Sequence, residues 1–92
     1  MELIMKLERK LEEREGEKDG RKWKAASFLA STVNTPETKY IAFDVMDSDK
    51  GRIAEVEAVC GKVCKLEFSI EANENQNGRW FNKVKLWRAS AI

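Results

Sequence analysis

Histidine is absent from the 92 residues. The chain therefore has no imidazole to move protons near neutral pH or to hold a metal. It also has no serine in an elbow motif, no glycine-rich loop ahead of Lys-Ser/Thr and no paired carboxylates in a catalytic motif. The expectation is a protein that is not an enzyme. Cysteine is nearly absent too, with Cys60 and Cys64 alone. Their CxxxC spacing is not the redox CxxC, and without a second cluster they cannot close a zinc site. Both read as reduced and structural, Cys64 in a strand and Cys60 in a loop before Gly61. The stretch "DVMDSDKG" fails as a calcium loop, because counting from Asp47 the fifth position is Gly51 and the twelfth, where a bidentate Glu belongs, is Ala58. No metal and no cofactor are expected. No apolar run approaches the length of a membrane span. "MELIMKLERKLEERE" is charged too densely for the apolar core of a signal peptide. The expected setting is cytoplasmic, with no membrane contact. An excess of charge of one sign is also missing: 17 basic residues meet 16 acidic ones, for a net charge of +1. That balance excludes a strongly basic nucleic-acid binder but leaves room for a local basic stripe.

What is present is alternation. The length allows one domain with one small core. Leu3, Met5, Leu7 and Leu11 alternate with charged residues, which predicts a half-buried strand. Leucines four apart in "LERKLEERE" also suit a helix. The strand is preferred because "GEKDG" (16–20) reads as a loop and "RKWKAASFLASTV" (21–33) as a second strand, together a long hairpin. "NTPETK" (34–39) holds the only proline and reads as a turn. "YIAFDVM" (40–46) predicts a third strand, and Asp47, Ser48 and Asp49 offer N-caps to a short helix over 52–59. "KVCKLEFSIEA" (62–72) alternates clearly, with Cys64, Leu66, Phe68, Ile70 and Ala72 on the apolar, inward face and Lys65, Glu67, Ser69 and Glu71 on the other; "NENQNG" (73–78) is a turn, and a last strand runs from Arg79 to about Ala89. The order β-β-β-α-β-β predicts an all-β domain with one short helix, a five-stranded OB-fold barrel.

Four stretches, "MELIMKL", "GRKWKAASFLAST", "KYIAFDV" and "NGRWFNKVKLWR", carry a resemblance over nearly the whole chain. It resembles a family of small bacterial OB-fold domains of unassigned function, itself similar to bacterial single-stranded-DNA-binding proteins. The most specific marker is Asn77-Gly78-Arg79-Trp80-Phe81 followed by Lys85-Leu86-Trp87-Arg88. Trp23-Lys24 with Phe28 is the second. Met46-Asp47-Ser48 departs from the Trp-Gly-Asp expected at the end of the third strand, and Met5 stands where a glycine is expected. The resemblance implies the barrel, and nucleic-acid binding by analogy.

Single-stranded nucleic acid is held by aromatic rings that stack on bases and by cations that follow the phosphates. Alternation sorts the candidates. Phe28 belongs to the core, so Trp23 points outward between Lys22 and Lys24. Ile41, Phe43 and Val45 fill the interior, which leaves Tyr40 outside beside Lys39. Val84 and Leu86 claim the interior and take Trp80 with them, so the outer row of the last strand is Arg79, Phe81, Lys83, Lys85 and Trp87. These ten residues are the candidate site for single-stranded DNA or RNA. The same rings could instead cap the barrel or pair across strands without a ligand. The alternative function is a protein-interaction or homo-oligomerisation module, and a homodimer or homotetramer is compatible with both.

Overall fold

The structure, a computed structural model, describes residues 1–47 and 51–92. Its elements are β1 (Glu2–Lys18), β2 (Arg21–Thr32), β3 (Tyr40–Asp47), α1 (Arg52–Glu57), β4 (Val63–Glu74) and β5 (Trp80–Ala91). The strands close in the order β1-β2-β3-β5-β4, with β1 pairing antiparallel to both β2 and β4. This order, with the helix between β3 and β4, is the OB-fold arrangement expected from the sequence. No helix among the described residues is long and apolar enough to cross a membrane.

The first hairpin is tighter than expected. Strand pairing continues to Lys18 opposite Arg21, so only Asp19 and Gly20 form the turn. Their φ values of 53° and 78° place both in the left-handed region, the backbone of a two-residue turn whose twist matches the strands it joins. Gly16 therefore lies inside β1, directly opposite Trp23, and not in a loop. Two irregularities interrupt the pairing of β1 with β2, between Leu7 and Arg9 and between Lys10 and Glu12. Each leaves one residue of β1, Glu8 or Leu11, without a partner and bends the strand. That curvature lets one strand serve two neighbours. Leu3 and Leu11, expected on the buried side, are exposed.

Inside, Met5, Leu7, Phe28, Phe43, Val45, Leu66, Phe68 and Leu86 form one cluster. Phe43 meets Phe68 edge-on at 5.3 Å between ring centres. Helix α1 adds Ile53 and Val56 to this core. Its first residue follows Gly51 in a left-handed conformation with no side-chain cap of its own. Asp47 supplies part of the missing cap, because its Oδ2 accepts from the Ile53 amide at 3.2 Å. Ser48 and Asp49, the other expected caps, lie outside the described residues. The Lys10 ammonium ties the far end of α1 to β1 by bonding the Glu57 carboxylate. Cys64 is buried and Cys60 half-buried, both unpaired. Burial pushes both thiols up, which keeps them protonated and fits a structural role.

The second hairpin projects from the barrel. Pairing of β1 with β4 starts at Val63 and ends at Glu67, extended by the Met1–Phe68 backbone bonds. Strand β5 meets β3 in a single parallel bridge, Asp44 to Lys85. Beyond Ser69 and Lys85 the β4–β5 ribbon therefore has no flanking strand, and the molecule is elongated to 44 × 33 × 21 Å. Ile70 and Trp80, both expected inside, are 49% and 67% exposed for this reason. The alternation is kept, but nothing lies over that stretch of ribbon. Arg79, expected in the strand, sits in the turn, where Asn75 Oδ1 accepts from the Asn77 and Arg79 amides.

Phe43→Ala is expected to cost about 3–5 kcal/mol, by transfer and cavity terms together. Trp80→Ala should change stability by less than about 0.5 kcal/mol. Thermal unfolding followed by circular dichroism separates the two. Equal losses would mean that Trp80 is packed.

Candidate nucleic-acid interface

The outer surface is built by strand register. On β2 and β3, Ala25 faces Met46, Ser27 faces Asp44, Leu29 faces Ala42 and Ser31 faces Tyr40. The Asp44–Lys85 bridge attaches the outer row of β5 to this sheet. Residues paired directly in a sheet point to one side. Tyr40 and Phe81 lie on one side of that bridge, and Met46 and Trp87 on the other. Trp23 lies at the Asp47 end of β3, with Met46.

The expected ring positions are therefore met in their facing but not gathered into one patch. Tyr40, Phe81 and Trp87 are 62%, 49% and 58% exposed. Trp23 is only half-buried, and it is separated from Ser31, the partner of Tyr40, by about 26 Å of strand at about 3.3 Å per residue. The five large apolar or aromatic side chains fall into two groups. Trp23, Met46 and Trp87 occupy one end, and Tyr40 and Phe81 the other.

Two clefts of about 370 Å³ each have a tryptophan wall. In the first, the Trp23 ring lies over Gly16, among Glu15, Glu17, Lys22 and Lys24. A Cβ on Gly16 would come within 2.5 Å of Trp23 Cζ2, so the close approach of ring to backbone requires glycine. One part of the indole is thus held by the hairpin itself, and packing explains some of its burial. The second cleft is lined by Met1, Glu2, Glu67, Phe68, Ser69 and Trp87. Here β5 has a bulge: Leu86 pairs with Phe68 and Arg88 with Glu67, leaving Trp87 between them. The bulge puts Trp87 and Arg88 on the surface together and returns Ala89 to the core side. Ser69 Oγ is buried in this region without a hydrogen-bond partner among the described residues.

The cations are unequal. Lys22, Lys24, Lys39, Arg79 and Lys83 make no ion pair among the described residues, and all but the half-buried Lys83 are exposed. Lys85 differs, because Glu71 on the neighbouring strand holds its ammonium at 3.0 Å. Its charge is locally neutralised. Arg79 is displaced to the hairpin turn, away from the outer row it was expected to lead. Carboxylates also reach this face. Asp44 Oδ1 accepts from Ser27 Oγ at 3.1 Å, and Glu8 Oε1 accepts from Ser31 Oγ at 2.8 Å. Asp44, Ser27, Arg88 and Glu71 were not among the candidates. Asp44 could have been found from its outward parity beside Phe43 and Val45, whereas the Glu71–Lys85 pair depends on the β4–β5 register. Among the described residues no cluster of three His, Cys, Asp or Glu could hold a metal ion.

Comparison with known protein families, with curated proteins and with solved structures found no match.

Gly16→Ala should displace the Trp23 ring, with a red-shift of tryptophan emission and a loss of about 1 kcal/mol or more from overpacking. An unchanged spectrum and midpoint would show that the ring is free to leave Gly16. Trp87→Ala should leave the unfolding midpoint within about 0.5 kcal/mol of wild type.

Proposed function

We propose that this domain binds single-stranded nucleic acid, single-stranded DNA foremost, by stacking bases on exposed rings and placing phosphates near rim cations. The observation that carries this reading is the outward exposure of Tyr40, Phe81 and Trp87 on the strands of a small closed barrel, with Lys39 and Lys83 free of ion pairs among the described residues. Every base has a face that can cover an exposed ring, and stacking of this kind is worth about 1–3 kcal/mol per base. The resemblance of "NGRWFNKVKLWR" to OB-fold domains akin to bacterial single-stranded-DNA-binding proteins supports the same reading by analogy. The unpaired cations sit around the rings, Lys39 next to Tyr40 and Lys83 two residues from Phe81. Stacking is tolerant of sequence, so most contacts of this kind carry no base code.

A second reading has its own observation. Ile70, Trp80 and Phe81 are exposed on the projecting β4–β5 ribbon, beyond the barrel wall. An aromatic arm of this kind suits a protein interface, including one with a second copy of the chain. Size-exclusion chromatography with light scattering tests it. If Trp80→Ala converts an oligomer to a monomer, the arm is an interface.

Titration with a thymidine oligonucleotide should quench tryptophan emission, with affinity falling steeply as salt rises. Trp87→Ala should weaken binding by about 1–3 kcal/mol. Lys83→Ala should lower the salt slope by about one and leave that for Lys85→Ala smaller, since Glu71 already neutralises Lys85. No quenching and no mobility shift at low salt would sink the proposal.

A further inference from the structure

The middle of the outer face is not cationic. Its centre is Asp44, placed by register between Ser27 on β2 and Lys85 on β5. Ser27 donates to Oδ1 at 3.1 Å, which orients the carboxylate, and Oδ2 has no partner among the described residues. Lys85 is the nearest cation by register, but its ammonium is bonded to Glu71. The residues on either side of Asp44 along the same face are Ala42 and Met46, both exposed. The centre is thus a half-buried carboxylate bordered along its own strand by Ala42 and Met46 and across it by Ser27 and the Glu71-bound Lys85, with aromatic rings only towards the ends.

A phosphate at this position would be repelled. A strand crossing the face must keep its backbone near the rim cations and turn a base edge toward Asp44. We infer that Asp44 reads that base and favours guanine, an inference that rests on the nucleic-acid reading above. An ionised carboxylate only accepts hydrogen bonds. Guanine offers it two adjacent donors, N1–H and the N2 amino group, in the bidentate geometry that makes such bonds strong. Cytosine and adenine offer one amino group beside a ring nitrogen that repels the carboxylate. Thymine offers one N–H between two carbonyl oxygens. The expected order is guanine first, cytosine and adenine next, thymine last. The exposed Met46 thioether gives the base an apolar bed on the same strand.

The test uses four twelve-residue thymidine oligonucleotides, unmodified or carrying one central dG, dC or dA, titrated at fixed salt against the full chain. The dG oligonucleotide is expected to bind about tenfold tighter than the unmodified one. Asp44→Asn should erase that advantage while tightening binding to the all-thymidine oligonucleotide, because a negative charge has left the face. A residue with a purely structural role would weaken all four together. Equal binding of all four to the wild type, or an advantage for dG that survives in Asp44→Asn, overturns this inference and leaves the nucleic-acid reading standing. Failure of all four to bind overturns both. The wild-type comparison needs no variant, so misfolding of Asp44→Asn does not rescue the idea.

Discussion

Closure of the sheet through β1 is the constraint on which the other features depend. One curved strand must pair with β4 along Glu2–Lys6 and with β2 along Met5–Lys18. Only then do Met5 and Leu7 reach the interior, against Phe28, Phe43, Leu66 and Phe68. The two bulges in β1 supply the bend, and the helix adds Ile53 and Val56 to the core so formed. A core this small has little stability to spare.

The same closure decides which surface is available. Strands β1, β2 and β4 are paired on both sides where they form the wall, and they offer only side chains there, whereas β3 and β5 meet at the single Asp44–Lys85 bridge. Beyond the wall, both hairpins run on as two-stranded ribbons. The β1–β2 ribbon holds its tryptophan down by stacking it on Gly16. The β4–β5 ribbon leaves Ile70, Trp80 and Phe81 open. The exposed rings are thus divided between the wall, with Tyr40 and Trp87, and the arm, with Trp80 and Phe81.

Electrostatics divide the wall further. Near-neutral composition does not arise from even mixing alone. Charges are paired across strands, as in Lys85 with Glu71 and Lys65 with Glu2, and between strand and helix, as in Lys10 with Glu57. Exposed pairs of this kind add little to stability. Their larger effect is to remove cations from the set that could meet a phosphate. What is left is a set of unpaired cations, Lys22, Lys24, Lys39, Arg79 and Lys83 among the described residues, and a wall whose middle carries Asp44.

Alternation in the sequence was enough to order the five strands and the helix. It also placed Phe28, Phe43, Val45 and Leu86 inside, and Tyr40, Phe81 and Trp87 outside. Those assignments are local, because side chains change sides at every residue of a strand wherever no bulge intervenes. It misplaced Ile70, Trp80 and Leu11, and it put Gly16 in a loop. In each case the missing information was a neighbour distant in the chain, or the absence of one. Whether an inward-facing side chain is covered depends on where β1, β3 and β4 stop pairing. Whether a lysine is free depends on a carboxylate brought beside it by cross-strand register. Sequence by itself determined which way side chains point along each unbroken stretch of strand. Tertiary structure decided what it meets there, because burial and charge pairing arise between strands that only closure of the barrel brings together.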